Sequence, residues 1–277
     1  LGCLLLPRGP QVSGTEARLD KKGYLLQLGG TLSLSLGLTL LPILGWRDPR
    51  SSLLLVGPCL LALYVRHAAT VPSPLLSLAP LNNPTSRRAI LVAFAFGTVS
   101  TGSMESNFLV GELQLSPELY AVRALGQSLA SFFAVAWASR WIQSAPLKGL
   151  ILAFALTCVG KFGFNLFHPG ITYAALWPFI VSGFGYWMIV TILASLAVRD
   201  QGAKVTDSAA LFALALQFGS TLGLALLDAI FDSLTPWLGK LMAFSAIFWT
   251  QWFITGLLFV NLPRLFSVVP KDQQAAR

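Results

Sequence analysis

The sequence predicts an all-α polytopic membrane protein of about eight transmembrane helices, a reading that rests on its composition, its charge gaps and its basic residues. Of its 277 residues, 55% are hydrophobic and only 11% charged, whereas a soluble domain carries about 25% charged residues. No Asp, Glu, Lys or Arg lies between Lys22 and Arg47 or between Arg88 and Glu105. Each gap holds most of the roughly 20 residues that cross a 30 Å hydrocarbon layer. The basic residues fall overwhelmingly on one of the two sides that successive spans define.

Taken in order, residues 1–22 read as the end of a preceding helix and a basic cytoplasmic connector, with Leu1–Leu6 as an apolar stub before Pro7, Arg8 and Gly9. Two central spans follow within 23–67, near 23–45 and 51–67. Residues 68–87 carry Pro72, Pro74, Pro80 and Pro84, which favour an extended cytoplasmic connector. Six further spans occupy 88–262, near 88–110, 118–138, 147–167, 173–198, 207–231 and 241–262, and a cytoplasmic tail covers 263–277. The runs are continuously apolar rather than alternating, which favours helices, since a helix satisfies its own backbone hydrogen bonds inside lipid.

If the first connector is cytoplasmic, the inside segments hold 14 of the 19 Lys and Arg residues and the outside segments hold Arg47, Arg50 and Lys240. Arg123 and Lys161 are the two left inside spans. That asymmetry obeys the positive-inside rule on an even number of crossings and puts both ends in the cytoplasm, with a cell (inner) membrane as the location.

The net charge of +8 is scattered between apolar stretches rather than gathered on one face, which argues against nucleic acid as a partner. Cys3, Cys59 and Cys158 lack ligand-like spacing and read as small core hydrophobes. His67 and His168 stand at span ends without metal-ligand spacing. No phosphate loop, dinucleotide fingerprint or nucleophile elbow is visible, so neither a cofactor nor an enzymatic activity is expected.

Three stretches carry a family resemblance. "LGCLLLPRGP" followed by "ARLDKKGYLLQLGG", with Asp20 and Gly23 in an Asp–x–x–Gly entry, is similar to the passage from helix six into the first extra central helix of the fourteen-helix drug:proton antiporter branch of the major facilitator superfamily. "PSPLLSLAPLNNPTSRR" resembles that branch's connector into helix seven. "ALFALALQFGSTLGLALLDAIF" resembles helix eleven, with Gln217, Gly219 and Gly223 on its Gln–x–Gly–x–x–x–Gly pattern. The resemblance implies two central helices plus helices seven to twelve of a major-facilitator-like C-terminal bundle. It also implies a proton-coupled antiporter whose remaining helices come from a missing N-terminal portion or a partner chain. The family's antiporter motif belongs to helix five, outside this correspondence, so direction and drug specificity do not carry over. The loop "SRWIQSAPLKG" keeps Arg140 and Lys148 but lacks the family's Gly and Asp.

Ionisable groups inside a span cost several kcal/mol, which marks them as candidates for a proton and substrate pathway. Glu105 and Arg123 share a depth on consecutive spans. They fit either a pair in which Glu105 takes a proton or cationic substrate, or a fixed salt bridge, or an Arg123 that reaches the outer headgroups. Lys161, between Gly160 and Gly163, either faces a substrate or runs along its stem to the interface. Asp228 either lines the pathway or, with Asp232, marks the exposed end of its helix. Asp207 is expected at a helix start. Asn107 and Gln127 are pathway candidates because they lie within a turn of Glu105 and Arg123. Gln217 and Gln251 are expected as helix-packing glue, Gly219 and Gly223 as a small-xxx-small contact, and Gly183 with Gly185 as a break or close crossing.

The leading expectation is therefore a secondary transporter that moves a small molecule by alternating access, with membrane lipid, substrate and proton as partners. A non-transporting membrane scaffold or degenerate transporter fragment is the alternative. A membrane-embedded lipid-modifying enzyme would require a dense His, Asp or Glu cluster near one face, and the sequence has none.

Overall fold

The computed structural model describes residues 20–45, 48–71, 74, 76–100, 110–111, 116–167 and 177–266. Among them are eight α-helices and no strand: α1 Lys21–Leu44, α2 Leu53–Thr70, α3 Pro84–Val99, α4 Pro117–Ser144, α5 Pro146–Phe167, α6 Trp177–Val198, α7 Val205–Leu238 and α8 Lys240–Phe266. Seven are long and apolar enough to cross a membrane. The exception is α3, whose 16 described residues fall short of the roughly 20 that a span needs. Its predicted span of 88–110 begins earlier, at Pro84, and is described as helix to Val99. The fold is thus an all-α membrane protein.

Helix starts follow local chemistry. The Asp20 carboxylate accepts the Gly23 amide at 2.8 Å to open α1, and the Asn83 side chain accepts the amides of Thr85 and Ser86 at 2.9 and 3.3 Å to open α3. Pro84 and Pro117 occupy first-turn positions of α3 and α4, where a missing N–H costs nothing. At Gly239 a φ of 75° reverses the chain between α7 and α8 in a single residue, a conformation glycine adopts freely.

Several edges differ from the sequence reading. Helix α7 runs on to Leu238, seven residues past the predicted end, passing Asp228, Asp232 and Pro236. Its 34 residues give a rod of about 51 Å, longer than a 30 Å hydrocarbon core, so its far end stands in the polar layer. Asp228 and Asp232 therefore do not mark the helix end, which lies beyond them. The connector after α2 is not simply extended. A short 3₁₀ turn covers Ala79–Asn82, and the buried Tyr64 hydroxyl pins Leu76, donating to its carbonyl at 3.0 Å and accepting from its amide at 3.1 Å.

Helices α3 to α8 enclose the main core, built on Phe96, Leu150, Phe154, Met188, Ile189, Ile192 and Leu193, with Ala134 and Ala138 of α4, Phe212 of α7 and Leu262 of α8. Phe96 and Phe154 meet edge to face at 5.3 Å. Lipid is as apolar as this core, so close association relies on small residues that let backbones approach. Gly97, Gly219 and Gly223 do this between α3 and α7. A Cβ on Gly97 would stand 2.5 Å from the Leu216 carbonyl oxygen, and one on Gly219 or Gly223 would collide with the carbonyls of Phe94 or Thr98.

The α1–α2 hairpin is packed by the same device, with Gly37 against the Leu54 backbone and Gly57 against that of Leu34. It meets the six-helix body where Tyr64, Ala68 and Leu76 pack on Ala210, Leu211 and Leu214 of α7. The periphery is strongly apolar: Leu25, Leu55, Phe132 and Val260 are 66%, 72%, 70% and 69% exposed. A protein surface this rich in large bare hydrophobics is suited to acyl chains rather than water. Cys59 belongs to that exterior and is no core residue, while Cys158 is half-buried; Cys3 lies outside the described residues.

Candidate functional site

Between α4, α5, α6 and the end of α3 is a half-open pocket of about 230 Å³ lined by Ser100, Gln127, Thr157, Lys161, Ser182 and Tyr186, with Gly183 and Trp187 completing the wall. Its residues come from α4, α5 and α6 and from the residue that follows α3. Seven of the eight offer a hydroxyl, an amide, an ammonium or an indole N–H in addition to carbon, which is dense for a membrane bundle.

Lys161 dominates the site. Its ammonium donates to the Val99 carbonyl at 2.8 Å and to the Gln251 side-chain oxygen at 3.1 Å. Val99 is the last residue of α3, and the carbonyls of a final turn carry the negative end of the helix dipole. A cation placed there is favoured by charge as well as by hydrogen bonding. Gln251 is 1% exposed, so its oxygen has no water to accept from. The ammonium thus turns into the bundle, and the stem does not run out to the interface. Val99, Lys161 and Gln251 each lie 15 residues from the basic end of their helix, at Pro84, Pro146 and Phe266. This is about 22 Å along each axis, so the three meet as one layer.

Around this layer the other polar groups are partly satisfied. Thr157 Oγ1 donates back to the Ala153 carbonyl at 2.9 Å, and Ser182 Oγ to the Phe179 carbonyl at 3.2 Å. The Ser100 hydroxyl oxygen is buried and has no hydrogen-bond partner among the described residues. An unmatched hydroxyl on a cavity wall is a ready point of attachment for a water or a solute.

Glycine sets the packing at the wall. A Cβ on Gly183 would stand 2.9 Å from Gln127 Cγ, and one on Gly185 2.7 Å from the Ala153 carbonyl oxygen. Gly185 therefore serves the α5–α6 crossing, whereas Gly183 leaves room for the Gln127 side chain beside the cavity.

No protein-family model and no curated protein matches the chain. The family reading accordingly stays with the motifs themselves.

The remaining candidates are distributed as follows. Gln127 and Lys161 share the cavity wall. Arg123 sits one turn nearer the start of α4, is only 4% exposed, and holds its guanidinium 4.3 Å from the centre of the Phe179 ring and 5.7 Å from that of Tyr120. It is packed within the protein and does not reach out to headgroups. Glu105 and Asn107 lie outside the described residues, as does His168. Asp228, partly exposed on α7, is not part of the cavity wall. Gly219 and Gly223 belong to the α3 crossing, and Gln217 is exposed on α7.

Sequence reasoning overlooked Thr157, Ser182 and Tyr186, single polar residues in apolar runs whose convergence depends on how α5 and α6 face each other. It also left His67 without an acidic neighbour. In the fold, His67 Nε2 lies 2.9 Å from Asp20 Oδ1, and since a carboxylate only accepts, that nitrogen carries the proton. Among the described residues no group of three or more His, Cys, Asp or Glu is placed to hold a metal ion.

Proposed function

We propose that this chain is the C-terminal portion of a secondary active transporter, moving a small molecule across the membrane by alternating access and coupled to protons. The observation that carries this reading is the polar cavity around Lys161, Gln127 and Ser100 inside a bundle whose exterior is bare hydrocarbon. Polar side chains at membrane depth are expensive, and a wall of them around one pocket supports a solute pathway better than a purely structural role. In this reading the solute is carried and not chemically changed. Both chain ends face the cytoplasm, and the complementary helices come from preceding sequence or from a second chain.

The coupling role falls to Glu105 with Arg123, and the solute contacts to Gln127, Lys161, Asn107 and the unmatched Ser100 hydroxyl. The experiment is solute-dependent proton flux. The intact protein, with its preceding helices, is reconstituted in liposomes containing a trapped pH dye and challenged with a panel of cationic and neutral amphiphiles under an imposed pH gradient. At least one solute dissipates the gradient, and Glu105→Gln abolishes that dissipation while solute binding persists. If no solute moves protons, or if Glu105→Gln leaves the flux intact, the proton-coupled reading is wrong.

A further inference from the structure

A second cavity, of about 360 Å³, opens between the two helices of the α1–α2 hairpin. Its wall is Lys22 and Leu26 from α1 with Leu63, Arg66, His67 and Thr70 from α2. The chemistry is layered along the helix axis. Lys22 lies in the first turn of α1, and Arg66 and Thr70 lie in the last turns of α2. Leu26 and Leu63 are each set one turn or less further into the membrane, so cationic heads stand directly over an apolar floor.

The floor continues. On α2, Thr70, Arg66, Leu63, Cys59 and Val56 follow at alternating intervals of four and three residues, which puts them on one helical stripe. Every member is exposed: Leu63 is 51% and Val56 43% accessible, and Cys59, Arg66 and Thr70 are exposed as well. From Thr70 to Val56 the stripe runs about 21 Å, from the headgroup level past the middle of a hydrocarbon layer about 30 Å thick.

The local charge balance favours an anion. Neither Lys22 nor Arg66 forms an ion pair with another described residue. Asp20, two residues before Lys22, has a side chain only 7% exposed. Its Oδ1 accepts both the Gly23 amide, at 2.8 Å, and His67 Nε2, at 2.9 Å. The carboxylate is thereby turned inward and engaged, while both cations stay at the mouth. Basic pockets between transmembrane helices at a membrane face suit anionic headgroups, and a free phosphate would have no use for the apolar stripe beneath.

We propose that the Lys22–Arg66 cleft binds the phosphate headgroup of an anionic phospholipid, with an acyl chain laid along Leu63, Cys59 and Val56. The site does not rest on the transport reading, since it shares no lining residue with the polar cavity.

The test titrates the purified full chain in mild detergent with phosphatidylglycerol, phosphatidylcholine and inorganic phosphate separately, following lipid adducts by native mass spectrometry and the unfolding midpoint. Phosphatidylglycerol binds saturably and raises the midpoint, while phosphatidylcholine and inorganic phosphate do neither. The double variant Lys22→Gln/Arg66→Gln weakens phosphatidylglycerol binding about thirtyfold, as the removal of two basic contacts at a membrane surface predicts. Lys22→Arg/Arg66→Lys keeps the binding. Because both positions are exposed, the unfolding midpoint without lipid serves as the folding control. Equal binding of phosphatidylcholine, binding of inorganic phosphate alone, or undiminished affinity in the glutamine double variant would each overturn the assignment.

Discussion

The Lys161 ammonium donates to the carbonyl oxygen of Val99 at 2.8 Å, joining residues 62 apart in sequence at the end of α3. The same ammonium reaches Gln251 on α8, so one cation fastens three helices. Hydrogen bonds to a charged group contribute about 1.5–3 kcal/mol each, and removing one partner leaves buried acceptors unmatched. Lys161→Met is therefore expected to lower unfolding stability in detergent by about 2–4 kcal/mol, with Lys161→Arg recovering part of it. Denaturant titration followed by tryptophan fluorescence checks this, and an unaltered midpoint in Lys161→Met would contradict it.

The α3–α7 crossing admits no side chain at Gly219 or Gly223, where the neighbour is backbone that cannot step aside. Gly223→Val is expected to cost at least 3 kcal/mol and to reduce folded yield severely, because overpacking against a main chain is relieved only by separating the helices. Gly256→Ala is the matched control, since an added Cβ there meets nothing within 4 Å. Size-exclusion profiles of the two variants should diverge sharply.

Arg123 rests on the Phe179 ring, and a desolvated cation–π contact is worth about 2 kcal/mol. Phe179→Leu should lower thermal stability by about that amount, whereas Phe179→Tyr, which keeps the ring, should stay near the parent value. Similar loss in both variants would assign the effect to shape rather than to the ring's charge distribution.

At the start of α1 the Asp20 carboxylate caps the helix and accepts from His67. Asp20→Ala loses both contacts, and Asp20→Asn keeps a capping oxygen. The alanine variant is expected to lose about 1 kcal/mol or more of stability, and the asparagine variant less. Thermal unfolding of the pair, with His67→Gln as a third arm, separates cap from tie.

Orientation is open to direct chemistry. On a cysteine-free background, single cysteines at Lys148 and Arg199 should react with an impermeant maleimide from one side of the membrane, and one at Lys240 from the other. Labelling of Lys148 and Lys240 from the same side would refute the arrangement in which both chain ends face the cytoplasm.

Much of the helical layout was legible in sequence because hydropathy reports burial in lipid directly, and the described helices α1, α5 and α6 lie within a few residues of their apolar runs, while α4 runs six residues past its predicted end at 138, through Arg140 to Ser144. The overrun of α7 was not legible. Asp228, Asp232 and Pro236 signal an end to hydrocarbon burial, and a helix is free to continue once it has left that layer. The partners of Lys161 were hidden for another reason. One is a backbone carbonyl, which has no residue type, and the other, Gln251, is 90 residues distant. The contact of Arg123 with Phe179 was not legible either, because an aromatic face receives a guanidinium without leaving an electrostatic trace in the sequence. Asp20 announced its role more clearly. The Gly three residues on is required because a Cβ at Gly23 would overlap the capping carboxylate.

Where Gly97 meets Gly219, main chain rests on main chain with no flexible side chain between them to absorb displacement. Two rods in such contact behave mechanically as one girder: a push on either is delivered whole to the other. Looser seams lie elsewhere: α4 packs broadly on α6 but shares little surface with α5, so the α4–α5 seam is where the body yields most easily.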